Sequence, residues 1–172
     1  MCKKFLKILC VFLVLSIFIF NGCNDGEKPD CNLITDFSAD FQATYRDSEY
    51  KGKISTNRQG VLSMEITYPQ TLDGLGVRYY SGEMHLSREN LDSSADEAYL
   101  PDTSFPSVLK SVFDGINRGN TTIVSIGEEE CERTLRVPMG NAVIISRDNI
   151  ARQVRIEAID FCIDFSNVNV AG

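Results

Sequence analysis

From residue 37 onward, apolar and polar residues alternate along most of the chain. Phe37, Ala39, Phe41, Ala43 and Tyr45 are interleaved with Ser38, Asp40, Gln42, Thr44 and Arg46. Strict period two with one apolar face predicts a strand in an antiparallel sheet that is wet on one side. Asp47-Ser48 reads as a turn, residues 50–56 as a returning strand, and residues 57–60 as the next turn. Leu62, Met64, Ile66 and Tyr68 resume the alternation until Pro69. Residues 74–80 and 83–87 flank Ser81-Gly82, a two-residue hairpin signal. The pattern breaks over residues 89–104, which are rich in Asp, Ser and Glu. Phe105, Val108, Leu109, Val112 and Ile116 then fall on one face at helical spacing. Pro106 suits a first turn and Arg118-Gly119 a stop, so one helix of about three turns is predicted. Strands return at 121–126, 132–137, 141–146 and 153–165. The last changes phase, with Val154, Ile156 and Ala158 on one parity and Ile159, Phe161, Ile163 and Phe165 on the other. A bulge near Ala158-Ile159 would keep both sets on one face. The expected fold is α+β and mainly β. Eight to ten antiparallel strands form a curled sheet, an incomplete barrel, wrapped around one amphipathic helix.

The first residues follow a different rule. Lys3, Lys4 and Lys7 precede an apolar run of 13 residues, Ile8 to Phe20, and Asn21-Gly22-Cys23 closes it. Basic, apolar and small in that order describe an export signal, and the run is shorter than the roughly 20 residues a membrane-spanning helix needs. The Gly-Cys junction resembles the lipobox of bacterial lipoproteins, although Phe20 and Asn21 replace the usual Leu and small residue. The resemblance implies that Cys23 receives a diacylglycerol and becomes the first mature residue. An uncleaved anchor, or a signal cut elsewhere, is the alternative. The expected organisation is a signal peptide over 1–22, a lipid-anchored tether over 23–35 and a folded domain over 36–170. Localisation follows as the extracytoplasmic face of the cell membrane. The tether is polar with Gly and Pro, and fully extended would reach roughly 40 Å.

Charge and cysteine content narrow the function classes. The chain carries 17 basic and 24 acidic residues. Loss of Lys3, Lys4 and Lys7 with the signal would leave a net charge of about −10. Such a surface repels phosphate backbones, so nucleic acid is not an expected partner. Membrane contact is expected through the N-terminal lipid. Beyond Cys23, the mature chain holds Cys31, Cys131 and Cys162. Three thiols permit one intramolecular disulfide at most, and spacing does not choose a pair. No Cys-x-x-Cys is present and His85 is the only histidine, so neither a metal site nor a cofactor is expected.

The motifs Phe-x-Ala-x-Phe-x-Ala-x-Tyr (37–45), Lys-Gly-Lys-Ile (51–54), Gly-Val-Leu-Ser-Met-Glu-Ile-Thr-Tyr-Pro (60–69), Leu-Asp-Gly-Leu (72–75) and Leu-Pro (100–101), behind a Gly-Cys signal, are similar to those of small clostridial-type lipoproteins. More distantly the chain resembles the lipoprotein-carrier superfamily (LolA/LolB-like), whose members fold as an incomplete antiparallel barrel around helices. The resemblance implies a concave apolar cavity able to hold acyl chains, or a related scaffold that contacts partners. This chain departs from the carriers in having one helix and no longer helical lid.

No catalytic constellation accompanies this pattern. His85 lies on a predicted strand without a specified partner, and a Gly-x-Ser-x-Gly elbow is missing. Asp92, Asp96 and Glu97 do not follow calcium-loop spacing, and Glu128-Glu129-Glu130 reads as an exposed hairpin tip. The expected function is non-enzymatic binding of a hydrophobic ligand, a lipid or acyl chain, or of an envelope protein partner. The candidate ligand-facing residues are Phe37, Phe41, Met64, Ile66, Val112 and Phe113, each of which also suits plain core. The alternative is an interaction or structural module of the cell envelope with a filled core and no ligand.

Overall fold

The computed structural model describes residues 32–99, 101–127 and 130–170. The predicted signal, Cys23, Cys31 and most of the predicted tether lie outside the described residues. Eleven strands form one antiparallel sheet: β1 (Phe37–Tyr45), β2 (Ser48–Thr56), β3 (Leu62–Tyr68), β4 (Leu75–Tyr80), β5 (Glu83–Arg88), β6 (Leu91–Asp96), β7 (Thr121–Ile126), β8 (Glu130–Val137), β9 (Gly140–Arg147), β10 (Ile150–Ile156) and β11 (Phe161–Val170). Among the described residues one α-helix, α1 (Phe105–Asn117), joins β6 to β7.

The spatial order is β6-β5-β4-β3-β2-β1-β11-β10-β9-β8-β7. Each half is a meander, and β1 pairs with β11 along its length to weld the two halves. Among the described residues the one long connection between strands therefore runs from one open edge, β6, to the other, β7. That geometry explains helix α1: the chain must travel between the two edges, and a helix with one apolar stripe does so while covering the dry face. The sheet curls without closing.

Tight hairpins set the register. Arg46-Asp47, Ser81-Gly82 and Asp148-Asn149 all have positive φ at both turn positions, matching the twist of the flanking strands. The first turn thus lies one residue earlier than the pattern predicted. Gly52 sits at a register shift in β2, where an added Cβ would collide with the Glu65 carbonyl oxygen, so only glycine lets β3 approach there.

Two expectations are corrected. Residues 91–96, read from sequence as irregular, form edge strand β6, exposed at every position. A strand dry on neither face has no alternation to display. The predicted long final strand with a bulge near Ala158-Ile159 is instead two strands, β10 and β11. They are reversed by a 3-10 turn at Glu157–Ile159 and by Asp160 in the left-handed region. Ile156 faces Phe161 and Val154 faces Ile163. In an antiparallel pair the residues opposite each other share a face, so a turn of this length changes the parity by itself. The irregularity in this region lies earlier, between Ala151 and Gln153.

Candidate functional site: the helix-covered face and its flanks

The helix begins where the local chemistry favours it. The Ser104 side chain caps α1 by accepting from the Ser107 amide at 3.3 Å, and Pro106 lies in the first turn. The Tyr45 hydroxyl donates to the Thr103 carbonyl, and Tyr79 Oη lies 3.0 Å from Ser107 Oγ. At the far end, Asn117 Nδ2 donates to the Asn57 carbonyl at 3.3 Å. Between these ties the apolar stripe meets the sheet. Phe105 stacks on Tyr50 with ring centres 4.5 Å apart. Phe113 meets Phe37 edge-on at 5.9 Å, and Phe37 meets Phe165 in the same manner. Gly115 lies against Leu135, where a Cβ would come within 2.6 Å of a methyl group.

The six predicted ligand-facing residues are brought together here. Phe37, Phe41, Met64, Ile66, Val112 and Phe113 are all at most 3% exposed, within one cluster between helix and sheet. With α1 in place none of them presents surface to a ligand. Moving α1 away would expose Phe105, Val108, Leu109, Val112, Phe113 and Ile116, all buried. At about 1.5–3 kcal/mol per side chain, that cost equals or exceeds the roughly 5–15 kcal/mol that holds a whole domain together. The centre of the face is closed.

The flanks differ from the centre. One cross-strand row of the core face reads Tyr50, Ala43, Ile163, Val154, Ile144, Arg133, Ile123 from β2 to β7. Ile163, Val154 and Ile144 are fully buried, Arg133 is 8% exposed, and Ile123 is 45% exposed on the edge strand. The Arg133 Nη1 donates to Thr121 Oγ1 at 3.1 Å, while its Nε is buried without a partner. Among the described residues no carboxylate lies within ion-pair distance of it. A guanidinium does not shed its proton, so this is a buried charge with no counter-charge, an arrangement that costs several kcal/mol. Residue-by-residue reading passed over Arg133. The available signal was its parity, which it shares with Cys131, Leu135 and Val137 in a strand whose apolar set is buried.

Three of the open clefts among the described residues bear on the flanks and the outer face. One of about 350 Å³ lies beside Phe37, Thr56, Val61 and Val170, and Thr56 Oγ1 there is buried without a partner. A second, of about 230 Å³, separates Ser107, Ser111, Asp114 and Arg118 of the α1 region from Arg136 and Pro138. The third, of about 400 Å³, is a serine-rich trough on the outer face.

The remaining candidates are surface features. His85 lies 3.3 Å from the Glu83 carboxylate, with both side chains about half exposed. Asp92 and Asp96 are exposed on β6, and Asp96 accepts from the Ala98 amide at 2.8 Å. Among the described residues no three His, Cys, Asp or Glu side chains gather as metal ligands. Cys131 faces the core and Cys162 the outer surface, with β9 and β10 between their strands. Three strand spacings amount to roughly 14 Å, beyond the ~7 Å Cα limit of a disulfide, so these two do not form the permitted bridge. Burial, and then the neighbouring Asp164 carboxylate, push the Cys162 thiol pKa up, against an opposing pull from Arg155.

No protein-family model matches the sequence, and no curated protein matches it either. Solved structures do. An uncharacterized conserved protein from Thermus thermophilus superposes with a TM-score of 0.51 at 12% identity, covering 82% of each chain. A LolA superfamily protein from Nitrosomonas europaea superposes with a TM-score of 0.41 at 8% identity, covering 84% of this chain and 90% of that one. The Thermus likeness shows that the fold recurs, and the fold alone.

Proposed function

We propose that the protein is a non-enzymatic binding domain, held at the extracytoplasmic face of the cell membrane by lipid on Cys23. It takes a hydrophobic ligand, a lipid or acyl chain, along the β7 flank of its core face. The observation that carries this reading is that apolar surface lies outside the helix-covered centre: across Arg133 from fully buried Ile144, Ile123 is 45% exposed, and its chain neighbour Val124 is 57% exposed. The filled centre moves the contact from the six residues picked by pattern to this edge. Native mass spectrometry of the gently purified full-length chain tests it. Lipid should accompany the wild-type chain and be lost from a double Ile123→Ser, Val124→Ser variant; repeated absence of lipid from the wild type would sink the ligand reading. Anchoring has its own test, since radiolabelled palmitate should mark the wild-type chain and leave Cys23→Ser unlabelled.

A second reading, an envelope interaction module, draws on two features. The core is filled, and β7 is an open sheet edge of sequence Thr-Thr-Ile-Val-Ser-Ile with no charge, suited to pairing with a partner strand. An envelope protein that co-purifies without lipid, and is lost from the same double variant, would favour it.

A further inference from the structure

We infer that Arg133 is an oxyanion-binding residue, and that the ligand of the β7 flank is an anionic amphiphile whose carboxylate or phosphate seats on its guanidinium. The inference rests on the ligand reading above and adds the headgroup chemistry to it. Three observations support it. Arg133 is the one charged residue in a core-face row otherwise made of Tyr50, Ala43, Ile163, Val154, Ile144 and Ile123. It is 8% exposed with Nε unpartnered, and a single neutral hydroxyl, Thr121 Oγ1, accepts from Nη1. It also stands directly inside exposed Ile123, so a headgroup reaches it past the edge strand and not through the helix-filled centre. A guanidinium presents a planar fork of donors that fits carboxylate and phosphate in the same way. An apolar chain attached to that anion would lie on Ile123. A buried cation with no carboxylate in reach among the described residues breaks the agreement between burial and chemistry, and such breaks are expected where a protein binds something.

The test uses the full-length chain in maltoside micelles and native mass spectrometry, with laurate, dodecanol, dodecyl phosphate and inorganic phosphate as probes. Laurate and dodecyl phosphate should be retained by the wild type, dodecanol about tenfold less or weaker still, and Arg133→Met should bring all three to the dodecanol level. Arg133→Lys, which keeps the charge and loses the fork, should fall between. Retention of inorganic phosphate at the level of dodecyl phosphate would assign the site to free anions and overturn the amphiphile. Equal retention of laurate and dodecanol by the wild type would overturn the role of Arg133 while leaving the ligand reading standing. Failure of every chain-bearing probe to bind would sink that reading itself. The melting temperature of Arg133→Met supplies an independent measure: it should equal or exceed the wild-type value, because an uncompensated charge has been removed. A variant that does not fold would show that the guanidinium serves the core and would overturn the inference.

Discussion

The two open edges of the sheet end the same apolar face in opposite ways. Toward β6, one row runs Ala39, Ile54, Met64, Val77, then half-buried Leu86 and finally exposed Ser93. Burial and hydrophobicity decline together, and the edge strand carries Asp92 and Asp96, which discourage pairing with another strand. Leu91 and Ala95 are exposed there, but scattered apolar residues on a surface require no special account. Toward β7, the row crosses buried Arg133 and ends on Ile123, still apolar though exposed, with Val124 next to it in an uncharged strand. A register shift between Ile123 and Ser125 is the one device that guards this edge. The first edge is finished against water and the second is not. That unfinished edge is the one to which the proposed ligand is assigned.

Several measurements can break that contrast or make it sharper. The largest effect belongs to the closed centre. Phe113→Ala should cost about 3–5 kcal/mol in denaturant unfolding, because Phe37 and Phe165 lose their common neighbour. A much smaller cost would mean that α1 is loosely held and that the centre, not the edge, admits ligand. Gly115→Ala comes next. The new methyl would press on both methyl groups of buried Leu135, and the overpacking cost of about 1–3 kcal/mol should exceed the gain of up to ~1 kcal/mol in helix propensity. A more stable variant would show slack between α1 and β8.

Alkaline titration probes the β4 side of the helix seam. Burial holds the Tyr79 pKa above its ordinary value of 10.0, and Glu97 adds to the shift against the hydrogen bonds from Ser107 and Ser104. The folded state therefore keeps the proton longer than the unfolded state. The stabilising contribution is full below about pH 10 and is lost as pH rises through the higher folded value. Melting temperature should fall in that range, and Tyr79→Phe should flatten the fall. A profile identical in the variant would locate the alkaline sensitivity elsewhere. The smallest effects concern the edges themselves. Leu91→Ser and Ile123→Ser should each alter stability by less than about 0.5 kcal/mol, but only Ile123→Ser should weaken ligand retention. Equal loss from both would erase the distinction between the edges.

Much of the fold was legible before any coordinates. Alternation from Phe37 to Tyr45 marked a strand, and Phe105, Val108, Leu109, Val112 and Ile116 marked the buried stripe of the helix, because both patterns report which side of one segment is dry. Strand β6 was illegible for the same reason, since neither of its faces is dry. The reversal at residues 157–160 was mistaken for a bulge because both flip side-chain parity, and sequence spacing does not distinguish them.

The site shows the same division. Sequence by itself determined that Phe37, Phe41, Met64, Ile66, Val112 and Phe113 turn toward a common apolar interior, since their own strands and helix fix those directions. It did not determine whether that interior is empty. Only the tertiary structure decided that α1 fills it, because the helix position follows from the chain having to cross from edge β6 to edge β7. Only the tertiary structure set Arg133 beside Ile144 and Ile123 without a carboxylate in reach. Periodicity describes one strand against water, whereas the partners of a charge are chosen by how its strand pairs with the strands beside it.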